Sequence, residues 1–140
     1  MIRRACDELV REAPVDVVSV QQPLPGYAAT RSPGLMGVPF SYGFHSPWHV
    51  EYEFKVKVLG PRNPFLRWVG WYALNGRVRR HMEHQAVMRS RNAILLSEFS
   101  RNLIGRIHGF PPERVFRIPG GVDERRFAPV GDRTETRRRL

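Results

Sequence analysis

The side chains with the widest chemical range are gathered in one run, His45-Ser-Pro-Trp-His-Val-Glu51. An imidazole can carry a proton near neutral pH or ligate a metal, and a carboxylate accepts hydrogen bonds from hydroxyls. His45, His49 and Glu51 form a possible metal-ligand set, since histidine and carboxylate ligands can assemble on a loop; nothing in their spacing fixes that geometry. Upstream, Gln21 and Gln22 can hydrogen-bond a hydroxyl but cannot act as proton carriers near neutral pH. Downstream, Arg80 and Glu83 stand three apart, the spacing of a helical pair. Their plain reading is a solvated ion pair that contributes little. Ser97 and the Gly120-Gly121 dipeptide complete the set. No two carboxylates are placed like the pair of a glycoside hydrolase. A single cysteine, Cys6, excludes a disulfide framework and a cysteine-based zinc site.

These residues need elements to position them, and residues 93–123 supply the clearest. Residues 93–96 are a short apolar run that suits a buried parallel strand. Ser97 can cap a helix with Phe99, Leu103, Ile104 and Ile107 on one face. Gly109 suits a left-handed stop, and Pro111-Pro112 prevents continuation. Residues 115–118 form a second strand, and Pro119-Gly-Gly turns the chain away. The whole is a β-α-β unit. Earlier, Ile2, Ala5, Cys6, Leu9 and Val10 mark one face of a helix that Pro14 ends. Residues 15–20 read as a strand. Residues 23–37 read as a loop with one helical turn around 27–31. Residues 38–44 are a third strand ending at the His45 segment, and residues 77–90 are a helix. In an open parallel sheet, ligands bind beyond the carboxyl ends of the strands. That is where His45, Gln21, Ser97 and Gly120 fall.

At 140 residues the chain is one domain at most, with 41% hydrophobic and 26% charged residues. No stretch of about twenty apolar residues is present, and the N-terminal residues lack a signal peptide's apolar core. A cytoplasmic location is the expectation, with a peripheral place at the inner membrane face as the alternative. The net charge is +10, nearly all from arginine. Such a balance favours phosphates, anionic membranes or nucleic acid, or reflects only a codon bias toward G and C. Residues 52–75 mix Tyr52, Phe54, Phe65, Trp68, Trp71 and Tyr72 with Lys55, Lys57, Arg62 and Arg67 around Pro61 and Pro64. They are either the buried face of a helix or an amphipathic surface for an anionic membrane or lipid-linked acceptor.

Several segments resemble one family. The run from Pro111 through Gly120-Gly121-Val122-Asp123 to Phe127 and Pro129 is similar to the phrase that closes the N-terminal domain of GT-B glycosyltransferases of the retaining family 4. The segment at 13–23 resembles that family's strand after which many members carry a histidine; here Gln21 or Gln22 stands instead. Residues 44–52 resemble its histidine segment, in which the histidine lies in the interdomain cleft near the transferred sugar. Arg80 and Glu83 match an arginine and glutamate that precede a strand ending in serine, here Ser97.

The resemblance implies a Rossmann-like α/β parallel sheet with flanking helices, over residues 1–130, as the latter part of the acceptor-side domain. Residues 131–140 would open the donor-binding domain. It further implies transfer of a sugar from a nucleotide-diphosphate sugar to a hydroxyl or lipid-linked acceptor, with retention and without a metal or cofactor. His45 would serve as the catalytic residue and Gly120 and Gly121 as donor contacts. Gln21, Ser46, Trp48, Glu51, Arg80, Glu83 and Ser97 would bind substrate. The family's first strand and Gly-rich loop have no counterpart here, and no G-x-G-x-x-G or P-loop motif cradles phosphates. The expectation is therefore a partial enzyme, inactive alone, with an unpaired sheet edge that favours marginal stability or self-association. The other class is a membrane-docking or nucleic-acid-binding module. Nucleic acid is disfavoured, since no reading helix, zinc-finger spacing or RNP motif is present.

Overall fold

Four strands lie side by side in the order in which the chain makes them, all parallel. They are β1 (Val18–Val20), β2 (Phe40–Gly43), β3 (Asn92–Leu95) and β4 (Val115–Arg117). The structure is a computed structural model that describes residues 2–59, 65, 74–121 and 137–138. The expected features at Pro61, Arg62, Pro64, Arg67, Trp68, Trp71, Tyr72, Asp123, Phe127, Pro129 and residues 131–136 lie outside the described residues.

Parallel neighbours need crossovers, and helices provide them. After α1 (Ile2–Glu12), α2 (Pro23–Ala29) and a 3-10 turn (Pro33–Leu35) join β1 to β2. Helices α3 (Trp48–Leu59) and α4 (Asn75–Arg89) separate β2 from β3, and α5 (Glu98–His108) leads from β3 to β4. The result is a Rossmann-like α/β sheet flanked by helices. Among the described residues no helix is long and apolar enough to cross a membrane.

The register puts Val20, Tyr42, Ala93 and Val115 in one row across all four strands. Side chains alternate along a strand, so Phe40 and Leu95 face the same way. This face is the core, closed by Ala29, Ala86, Val87, Ile104 and Phe110. The next row, Gly43, Ile94 and Phe116, faces the other way. There Ile94 is exposed and Phe116 is 53% exposed. The apolar run at 93–96 was expected to be buried throughout; instead it alternates, with Ile94 and Leu96 outward. Among the described residues, the helices cover one face of this part of the sheet and not the other.

Other differences have local causes. Residues 23–37 do not form a loop with one turn: α2 starts at Pro23, because a proline in a first helical turn has no N–H to forfeit. Gly26 then lets α2 approach closely, since a Cβ there would lie 3.3 Å from the Ala86 Cβ and still nearer Val20. The strand expected over 15–20 shortens to three residues. On α1 only Cys6 and Val10 pack on the core, while Ile2, Ala5 and Leu9 are exposed. On α5 the inner face is Ser100, Ile104 and His108 rather than one that includes Phe99, which is exposed. The expected ends of α5 are present: Ser97 accepts from the Ser100 N–H, and Gly109 adopts the left-handed conformation at φ 67°.

Candidate functional site

The carboxyl ends of β1 and β2 open into a small polar cleft of about 50 Å³. Its lining includes Gln21, Tyr42, His45, Ser46, Trp48 and Glu51. Gln21 leaves β1 on the outer side of the sheet and lies over Gly43, where a Cβ would stand 2.5 Å from its Oε1. Its amide donates to Ser19 Oγ at 2.8 Å, and its Oε1 is 3.3 Å from His45 Nε2. With the amide oriented so, the His45 Nε2–H is the donor. Ser46 donates its hydroxyl to Glu51 Oε1. The cleft thus joins an imidazole, an amide and a carboxylate, three groups suited to hydroxyls.

The segment holding these residues is only in part a loop. It turns at Pro47 and enters α3 at Trp48, with the Glu51 N–H donating to the Pro47 carbonyl at 3.1 Å. The first N–H groups of a helix have no partner within it. Here the Trp48 N–H donates to Glu83 of α4, whose two carboxylate oxygens lie 3.2 and 3.1 Å away. A negative group at this end is also favoured by the helix dipole. Arg79, one turn earlier on α4, stacks its guanidinium 4.3 Å from the Trp48 ring centroid and 4.1 Å from that of Tyr52.

Glu83 is therefore no solvated partner of Arg80, as its spacing had suggested. It is 0% exposed, and Arg80 instead donates to the Ile107 carbonyl at 3.5 Å. Position 83 falls on the buried face of α4 with Ala86 and Val87, while Arg80 faces solvent. Two imidazoles approach Glu83 Oε2, His49 Nδ1 at 3.6 Å and His108 Nε2 at 3.7 Å. Both distances exceed a hydrogen bond. The His84 ring lies 5.8 Å from His108, and Phe44 meets His108 edge-on at 6.1 Å.

Burial dominates the electrostatics. It pushes the Glu83 carboxyl up to about 7, against the Trp48 N–H bond that lowers it, with help from the Glu51 charge. It pushes the His108 imidazole down to about 4, helped by His84, His49 and Arg80. His49 is lowered by burial and then by Arg80. The Tyr42 hydroxyl is raised by burial and by Glu83. At neutral pH the Glu83 carboxyl is about half protonated and His108 is neutral.

The structure brings together Gln21, His45, Ser46, Trp48 and Glu51 and separates the rest. Glu83 supports Trp48 from behind the cleft, and Arg80 ties α4 to the end of α5. Ser97 spends its oxygen on the α5 cap, with Ser100 Oγ a further 3.0 Å contact. Gly120 and Gly121 follow β4, are exposed, and have open space where a Cβ would stand. The set His45, His49 and Glu51 is split, because His49 faces Glu83. Among the described residues no three His, Cys, Asp or Glu side chains are grouped to hold a metal ion. Tyr42, Gly43, Arg79 and His108 were not singled out from sequence. The apolar alternation of β2 could have marked Tyr42, but nothing local marks His108.

A parallel sheet with helical crossovers and a polar cleft beyond its strand ends defines a Rossmann-like α/β domain. The chain matches Glycosyltransferase Family 4 over residues 2–126 and belongs to that family. Comparison with curated proteins returned no match.

Proposed function

We propose that this domain forms the acceptor side of a retaining GT-B glycosyltransferase. Such an enzyme moves a sugar from a nucleotide-diphosphate sugar to a hydroxyl acceptor. The observation that carries the reading is the contact between His45 and Gln21 across the ends of β1 and β2, in a chain of family 4. His45 faces the transferred sugar, and Gln21 sets its tautomer. Gln21, Ser46 and Glu51 supply donors and acceptors for sugar hydroxyls, and the Trp48 ring supplies a wall. Stabilisation of the departing diphosphate calls for cations beyond this cleft, because no lysine or arginine is among its lining residues. Gly120 and Gly121, exposed after β4, are the donor-side contacts in this reading.

The test is nuclear magnetic resonance of the histidine side chains during titration with nucleotide-diphosphate hexoses. The sugar is expected to shift His45 and the Gln21 amide while His108 stays unmoved, and the isolated chain is expected to show no turnover. Shifts confined to residues outside the cleft would overturn the assignment of His45. Measurable transfer by the isolated chain would overturn its inactivity.

A further inference from the structure

Helix α3 is apolar on two faces. Its inner face carries Val56, buried, with Trp48 and Tyr52 against α4. Its outer face carries Val50, Phe54 and Val58, four residues apart, 46%, 68% and 64% exposed. At this spacing the three form one stripe along the helix, about 12 Å long. A second apolar stripe on a helix calls for a partner of its own, and among the described residues only the inner face is packed.

The charges beside the stripe point to its partner. Of the 23 cationic residues, only Lys55 and Lys57 are lysines, and they flank Phe54 and Val58 on opposite sides. Both are exposed. Lysine stems lie along apolar surface while the ammonium groups reach outward to anions. The acidic residues of α3 compete little: Ser46 holds Glu51, and Glu53 is half-buried. Three side chains are too few for the roughly 800 Å² per partner of a stable protein interface. A second copy of this +10 chain would set lysine against lysine. We infer that the outer face of α3 docks on an anionic lipid surface, with Phe54 and Val58 entering the headgroup boundary and Lys55 and Lys57 meeting lipid phosphates. Such a helix lies in the plane of the interface. This inference stands apart from the transfer reading, because vesicle binding reads α3 whatever reaction the domain serves.

The experiment is co-sedimentation with vesicles of phosphatidylcholine alone and of phosphatidylcholine mixed with phosphatidylglycerol, at low and high salt. The chain is expected to bind the mixed vesicles and to release as salt rises. Phe54→Ser should weaken binding about tenfold, and Lys55→Gln and Lys57→Gln about fivefold each. Phe116→Ser, a comparable exposed change on the sheet, should leave binding unchanged. All four positions are exposed, so the thermal midpoint should hold and separate lost docking from lost folding. No sedimentation with mixed vesicles would overturn the inference. So would binding that ignores Phe54→Ser and responds only to salt, the mark of a diffuse arginine surface. An RNA oligonucleotide that displaces the vesicles and is bound equally by the α3 variants would overturn it as well.

Discussion

Replacing Glu83 with glutamine separates two accounts of the buried cluster. The folded protein holds the Glu83 proton more tightly than the unfolded chain, whose carboxyl titrates near 4.5, against about 7 when folded. Between those values unfolding releases a proton, so this group's contribution to stability falls as pH rises. The full effect is about 3 kcal/mol once the carboxylate is ionised. His108 acts in the opposite sense: its imidazole titrates near 6.5 unfolded and about 4 folded, so unfolding takes up a proton and stability falls as pH drops through that window. The two slopes oppose each other between about pH 4.5 and 6.5, where the lowered His49 adds to the His108 side, and above that window the Glu83 loss continues.

Glu83→Gln keeps an oxygen to accept from the Trp48 N–H and removes only the titration. Relative to the parent, the variant should gain stability from pH 5 to pH 8 by about 2.5 kcal/mol, or roughly 8 °C in melting temperature. Urea unfolding at the two pH values measures the difference. If Glu83 and a protonated His108 formed a buried ion pair instead, breaking it would cost about 3–5 kcal/mol. A variant less stable than the parent at pH 8 would therefore refute the neutral cluster.

Three further outcomes test the architecture. Gly43→Ala should push Gln21 away from His45, because the new Cβ would stand 2.5 Å from its Oε1; loss of the Gln21–His45 proximity in NMR, at a cost below about 1 kcal/mol, is expected. Gly26→Leu should cost about 1–3 kcal/mol in urea unfolding by forcing α2 off β1 and α4, and an unchanged midpoint would refute the close approach. Ser97→Ala should cost about 1 kcal/mol through loss of the α5 cap while leaving sugar-induced shifts at His45 in place; loss of those shifts would return Ser97 to the binding site.

The sheet was legible because parallel strands are short apolar runs bounded by punctuation. Ser97 and Gly109 announced both ends of α5 through side-chain capping and left-handed freedom. Pro23 opens α2 inside the stretch that reads as a loop, because a proline in a first helical turn has no N–H to forfeit. The exposure of Ile94 and Phe116 was invisible for a different reason. A strand does not say whether both faces of its sheet are covered, and the apolar run at 93–96 looks the same in either case. At the site, Gln21 and His45 were legible because both follow a strand's carboxyl end. Their contact depends on Gly43, which has no side chain to advertise its part.

Glu83 shows why spacing alone could not finish the site. Three residues from Arg80, it satisfies the rule for a surface pair, and the rule carries no information about which side of α4 faces the sheet. Ala86 and Val87 settle that by packing on the core, which turns Glu83 inward with them. A carboxyl so placed needs a donor, and the start of α3 has unpaired N–H groups to offer. The same hydrogen bond fixes Trp48, three residues after His45, so the polar cleft and the buried cluster are two sides of one turn. Removing the side chain with Glu83→Ala should therefore do what Glu83→Gln does not: leave the Trp48 N–H buried without an acceptor, cost about 1–3 kcal/mol at pH 5, and loosen the His45 segment. Faster amide exchange at Trp48 in the alanine variant, with protection kept in the glutamine variant, is the expected result. Equal protection in both would show that Pro47 alone sets the turn.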